Sequence, residues 1–270
     1  MANLKQTHWQ PTLLIKLSVM LHALVLISLI VAPDLWQWAL AVLIGNHLVI
    51  AATGLWPRSN WLGPNWIQLP PAATRRNEIA LTIDDGPDPE VTPQVLDILE
   101  HFHAKATFFC IGSKAAQYPD LCREIVRRGH AIENHSQQHR HYFSLLGIGG
   151  FTREVQAAQD TLFSITGVRP KFFRAPAGLR NPFLQPVLSR LGLRLVSWTV
   201  RAFDTQVKDA EKVKNKLLSG LSPGAILLLH DGNAARTDKS IPVILVVLPS
   251  LLDAAERAGL HFVTLQEAAL

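Results

Sequence analysis

Cysteine is almost absent from the 270-residue chain, which has only Cys110 and Cys122. They form no CxxC and no zinc-type pairing, so neither a disulfide framework nor a cysteine-held metal organises the protein. Both thiols are expected to be reduced and half-buried. Charge is nearly missing from the first sixty residues, although the whole chain carries a net charge of +5 and a sequence pI of about 9.4. Such a balance suits nucleic acid, an anionic membrane surface or a phosphorylated substrate. No lysine/arginine stripe with interleaved aromatics is present, so nucleic acid is set aside as a partner.

Long apolar runs fill the space that charge leaves. Leu13 to Val31 is broken only by Lys16, His22 and two serines, and Leu35 to Leu55 by Gln37, Asn46 and His47. Each is about twenty residues, enough for a helix to cross a hydrocarbon core of about 30 Å. Pro33-Asp34 between them is a turn signal, so residues 1–57 are predicted to form a transmembrane helical hairpin. Trp36, Trp38, Trp56, Trp61 and Trp66 gather near the predicted ends, where indoles favour the interface. The competing reading is a signal peptide followed by a buried helix, but no small-residue cleavage site is clear after the first run. Asn46 and His47 are costly in lipid and are expected at a helix contact. Lys5 and Lys16 precede the hairpin, Arg58, Arg75 and Arg76 follow it, and its turn carries no positive charge. That distribution predicts a bacterial-type inner membrane with both termini on the cytoplasmic face, the outer side being the alternative. Residues 58–77 read as a surface linker.

From Glu78 to Leu270 short β-rich runs alternate with helical patterns. The expected strands are Ile79–Asp84, Thr107–Ile111, Ala131–Asn134, Phe172–Arg174, Leu193–Val200, Ala225–His230 and Phe262–Leu265. The expected helices are Thr92–Phe102, Phe151–Ile165, Asp209–Leu218 and Ile241–Ala258. The alternation implies a parallel, barrel-like α/β domain over residues 78–270, with polar chemistry at the carboxyl ends of the strands.

Five groups of residues sit at such ends. Asp84-Asp85-Gly86-Pro87 closes the first strand, and alone these carboxylates could equally cap a turn or do chemistry. His135 and His139 are four apart, a spacing that shares one face of a helical turn and can chelate a metal. Arg174 leaves a strand into Ala175-Pro176-Ala177-Gly178. Trp198 precedes Asp204. An apolar strand through Leu228 ends in His230-Asp231.

In this order the five motifs resemble the polysaccharide deacetylase family, carbohydrate esterase family 4, over about Glu78 to Leu270. The resemblance implies a distorted (β/α)7-type barrel, here preceded by two transmembrane helices. It implies that Asp85, His135 and His139 bind one divalent metal, zinc, with Co2+, Mn2+ or Ni2+ as alternatives. Asp84 would be the general base, paired with Arg174. The Ala177 backbone N–H would stabilise the oxyanion, and His230, oriented by Asp204, would be the general acid. Trp198 and Leu228 would line the acyl pocket, while Asp231 is either a turn residue or a participant. The sequence departs from the family pattern at Thr205, where tryptophan is common after the aspartate, at Arg201, where an acid is frequent, and at Ala177, where tyrosine is common. The expected activity is hydrolytic removal of an N-acetyl, or alternatively N-formyl, group from an amino sugar that is lipid-linked or membrane-proximal. The alternatives are a deacetylase of peptidoglycan or another N-acetylglucosamine polymer, and an inactive carbohydrate-binding scaffold.

Overall fold

The structure is a computed structural model and describes residues 9–270, so Lys5 of the charge argument lies outside the described residues. Helices α1 (Leu13–Val31) and α2 (Trp36–Gly54) form an antiparallel pair joined by a short turn at Pro33–Leu35. Each has 19 residues and rises about 28 Å, and each is long and apolar enough to cross a membrane. Their apolar side chains are largely uncovered: Ile30, Val31 and Trp38 are each more than two-thirds exposed. The polar residues turn toward the partner helix, as expected. Asn46 donates through Nδ2 to Ser18 Oγ at 2.8 Å, and the His22 and His47 rings meet edge-on at 5.3 Å.

The remainder is built around one parallel sheet of eight strands. In chain order these are β1 (Glu78–Asp84), β2 (Ala106–Cys110), β3 (Ala131–Asn134), β4 (Phe172–Phe173), β5 (Arg194–Leu195), β6 (Val200–Arg201), β7 (Ile226–His230) and β8 (His261–Phe262). The spatial order is β5-β4-β3-β2-β1-β7-β6, and β8 pairs with the start of β1. Central β1 pairs in parallel with β2 and β7 and is buried on both faces, which is why it reads as Ile-Ala-Leu-Thr-Ile without alternation. Helices Val91–His101, Ala210–Leu218 and Val243–Arg257 bury their apolar stripes against it, among them Leu96, Leu99, Leu217, Leu248 and Leu251. The 19-residue helix Ile148–Thr166 buries Phe151, Val155 and Leu162, the last in the same core cluster. The distorted α/β barrel of the sequence reading therefore forms as a curled sheet. Among the described residues its outer strands β5 and β6 do not pair with each other.

Those two strands replace the single strand expected over Leu193–Val200. The chain turns between them because Ser197 N–H donates to Trp66 O at 2.8 Å instead of to a strand neighbour. The residues that hold this gap come from the stretch expected as a surface linker. Trp66 N–H donates to Leu195 O at 2.9 Å, Thr199 Oγ1 donates to Ile67 O at 2.6 Å, and Ser197 Oγ donates to Pro57 O at 2.6 Å. Leu62, Leu69 and Ala73 are buried, Leu69 beside Phe109, Phe172 and Val196. The end of α2 is tied to the domain as well. Gly54 O accepts from Arg180 N–H at 3.2 Å, and a Cβ at Gly54 would lie 2.2 Å from the Arg180 carbonyl oxygen, so only glycine permits the approach.

Leu69→Ala should therefore destabilise the domain by about 2–5 kcal/mol, the cost of a core cavity. A solvated linker position would change stability by no more than about 0.5 kcal/mol. Urea denaturation of the detergent-solubilised protein separates the two outcomes.

Candidate active site and metal centre

Strand β1 delivers Asp84 to the carboxyl end of the sheet, and the chain then turns sharply. Asp85 takes a left-handed conformation (φ 72°) and the Gly86–Pro87 peptide is cis. A Cβ at Gly86 would lie 2.4 Å from both Asp231 carboxylate oxygens, so the turn closes only over glycine. Asp231 is a buried buttress beneath it. Its carboxylate accepts from Thr92 Oγ1 at 2.5 Å and from Gly232 N–H at 2.9 Å, and burial pushes its pKa up to about 6.

The turn sends the two neighbouring carboxylates to different partners. Asp84 accepts from Arg174 Nη1 at 2.6 Å, with both side chains buried. Arg174 donates further to Thr82 Oγ1 (2.9 Å) and to Ser197 O (2.7 Å), and its guanidinium carbon stacks 4.2 Å from the Phe109 ring centre. Burial lowers the Arg174 pKa, and Asp84 opposes that shift. Asp85 faces the histidines instead, its Oδ1 lying 3.2 Å from both His135 Nε2 and His139 Nε2.

The histidines do not share a helical turn, as their spacing suggested. They lie in a loop in which Ser136 (φ 64°) and His139 (φ 49°) are left-handed. Asn134 Oδ1 accepts from Ser136 N–H, and Ser136 Oγ accepts from His139 N–H, so local side-chain bonds supply the bend. His135 Nδ1 is 2.8 Å from Arg174 O. A carbonyl can only accept, so Nδ1 carries a proton. Burial opposes charge on His135, but the carboxylates of Asp84 and Asp85 outweigh it and raise its pKa.

One carboxylate oxygen and two imidazole nitrogens thus converge within 4.8 Å of one another. The buried Asp85 Oδ1 has no hydrogen-bond donor of its own. Burial opposes charge on Asp85, but the surrounding imidazoles, His135 foremost, outweigh it and hold the carboxyl below its usual range. His139, lowered to about 4 by burial and by the neighbouring His135, stays neutral. A carboxylate oxygen and two imidazole nitrogens at this separation suit a divalent ion of the zinc type, whose tetrahedral ligands lie about 3.4 Å apart.

Across the cleft, β7 ends in His230. Its Nδ1 lies 2.8 Å from Asp204 Oδ1, and its backbone N–H donates to Asp204 Oδ2 at 2.8 Å. Burial disfavours the imidazolium, but Asp204 outweighs it and raises the His230 pKa. Asp204 is fully enclosed, so its charge is spent on this one partner. Asp84, Asp85, His135, His139, Ala177, Trp198, Leu228 and His230 all line one cavity of 310 Å³, while Arg174 and Asp204 lie behind its wall. Ala177 is left-handed (φ 53°) in the tight turn Pro176–Gly178.

Residues that sequence reasoning did not single out also reach the site. Asn233 Nδ2 donates to Asp85 Oδ2 at 3.3 Å, and Lys114 Nζ donates to the Asp85 carbonyl at 2.9 Å. His141 and Gln206 line the cavity. The one available signal for Asn233 is an Asn just past a strand end, a residue that tolerates the left-handed geometry it adopts (φ 63°).

A cleft with a cation-ready ligand set at one wall and a charge-supported imidazole at the other defines the class of metal-assisted hydrolases. Residues 72–196 match the family model described as Polysaccharide deacetylase. A chitooligosaccharide deacetylase of Azorhizobium caulinodans is 39% identical over 58% of this chain and 75% of its own length. A peptidoglycan-N-acetylglucosamine deacetylase of Bacillus cereus is 29% identical over 77% of this chain and 75% of its own. The crystal structure of a peptidoglycan N-acetylglucosamine deacetylase superposes with a TM-score of 0.68 at 27% identity, covering 76% of this chain and 92% of that one. The chain belongs to the polysaccharide deacetylase family, carbohydrate esterase family 4.

His139→Ala should leave two ligands and strip most of the divalent metal from purified protein. His230→Ala should leave the ligand set complete and retain it. Elemental analysis of the two variants side by side checks the ligand assignment.

Proposed function

We propose that the protein is a metal-dependent N-deacetylase of an amino sugar presented at a membrane surface, on a lipid carrier or close to the bilayer. The single observation that carries the chemistry is the convergence of Asp85, His135 and His139 beside Asp84, opposite the His230–Asp204 pair. A divalent ion held by Asp85, His135 and His139 would polarise the acyl carbonyl and make water acidic enough to attack at neutral pH. Asp84, oriented by Arg174, takes the proton from the attacking water. The Ala177 N–H donates to the oxygen that gains charge. His230, charged by Asp204, delivers a proton to the departing amine, and Trp198 and Leu228 enclose the acyl methyl.

The membrane part of the proposal rests on the exposed apolar hairpin. Basic residues at both flanks and none in the turn support the cytoplasmic face. Of the three arginines after the hairpin, Arg76 pairs with Glu78 at 2.6 Å, while Arg75 and Arg58, the latter bonded only to the neutral Thr199 carbonyl, keep charge for anionic lipid. A second reading, an N-acetylglucosamine polymer on the outer side of the membrane, is favoured by the substrates in the relatives' names. A reporter fused after Leu270 distinguishes the faces. Cleavage of a membrane-embedded acetylated saccharide well above that of its soluble analogue supports the lipid-linked reading. Equal rates by the full chain in vesicles would refute it.

Asp84→Asn should retain metal and lose turnover, since a base is removed and no ligand is. His230→Ala should slow amide hydrolysis about 10²–10⁴-fold yet spare an activated ester whose leaving group needs no proton. The sign of the pH effect follows from Asp204. His230 serves as an acid only below its raised pKa, so activity falls as pH rises through that value. Asp204→Asn removes the charge that raises it, and the alkaline limb of kcat/KM should move to lower pH.

A further inference from the structure

Arg201 closes β6 and is the one lysine or arginine among the described residues lining the catalytic cavity. Its guanidinium carbon lies 5.2 Å from the Trp198 ring centre and 4.9 Å from that of Phe203, so two aromatic faces hold it in place. Its Nε is buried and has no hydrogen-bond partner. Every carboxylate nearby is committed elsewhere. Both Asp204 oxygens accept from His230, Asp84 is taken by Arg174, and Asp85 faces His135, His139 and Asn233. A cation fixed in a cavity wall with no anion of its own is a binding element for an anion brought by the ligand.

We infer that Arg201 forms an anion subsite and that the amino sugar taken by this enzyme carries a negatively charged substituent, a phosphate or a carboxylate, near the acetamido group. The inference rests on the deacetylase reading and narrows its substrate class. The planar fork of arginine matches either oxyanion in a bidentate manner, and the flanking rings keep that fork from swinging into solvent. Neutral residues Thr205 and Gln206 follow Arg201 in the cavity lining. A phosphate at this place would also be the natural junction between a sugar and a lipid carrier, whereas a carboxylate would belong to an acidic sugar.

The test uses the full chain in detergent, loaded with zinc, and four soluble probes: N-acetylglucosamine, its methyl glycoside, N-acetylglucosamine 1-phosphate and N-acetylmuramic acid. Binding is read by calorimetry and turnover by released acetate. One or both anionic probes should bind about ten- to a hundredfold more tightly than the neutral pair, the scale of one charge-assisted contact. Arg201→Gln should collapse that ratio toward one, and Arg201→Lys should keep part of it. Preference for the 1-phosphate assigns the anion to a phosphate, and preference for N-acetylmuramic acid assigns it to a carboxylate. Equal binding of charged and neutral probes, or a preference that survives Arg201→Gln, overturns the subsite. Absence of acetate release from every probe counts against the deacetylase reading alone, because the binding ratio still decides the role of Arg201.

Discussion

The buried pairing of Arg174 with Asp84 is the contact on which the site depends. Two adjacent aspartates at a strand end repel each other, and burying a carboxylate in an enclosed cleft is costly without a partner. Arg174 supplies it from β4 while its other nitrogens cap carbonyls between β5 and β6. One side chain therefore neutralises the first carboxylate and pins the gap in the sheet. It also orients a metal ligand, since its own carbonyl accepts from His135 Nδ1. With Asp84 satisfied, Asp85 is free to turn toward the histidines. Losing the guanidinium would leave a buried carboxylate uncompensated and unclamp three elements at once, so the arginine holds geometry as well as charge.

The sequence revealed the site more fully than the frame around it, for physical reasons. Asp84-Asp85 alone could equally have capped a turn, and it was the ordered set of five strand-end motifs, His230 among them, that pointed to a site. The strands β1, β2, β3 and β7 were readable because parallel strands buried on both faces are continuously apolar. By contrast, β5 and β6 are two residues each, too short to carry a period, so they merged into one. The histidine spacing suggested a helical turn because four residues is a helical interval. Its actual loop depends on Asn134 and Ser136 side chains that accept backbone N–H groups, and spacing alone carries no trace of that. Short helices such as Gly112–Gln117 and Leu184–Arg190 were missed because two turns hold too few apolar residues to define a face. Asn233 came into view only with the fold, and Arg201, visible in the sequence as a departure from the family pattern, acquired its aromatic setting there.

The stretch between hairpin and barrel shows the same limit in another form. Pro, Trp and Asn in residues 57–74 look like solvent-exposed punctuation. Their backbone groups nonetheless pair with the edge of β5 and with the residues between β5 and β6, which a curled and open sheet would otherwise leave unpaired. Open edges must be covered by something, and here the covering segment arrives directly from the second apolar helix. Gly54 O, Pro57 O and Ser59 O are all held by the domain, the first and last through Arg180 and the second through Ser197. The hairpin is thus not a tether joined by slack chain. Its last residue packs against the segment that continues from the Ala177 turn, and its first exit residues pack against the strand gap that Trp198 occupies. In the membrane-anchored reading proposed above, a junction built this way would hold the cleft at a set height and tilt over the bilayer, and a sugar would have to reach the cavity across the distance that residues 54–59 impose.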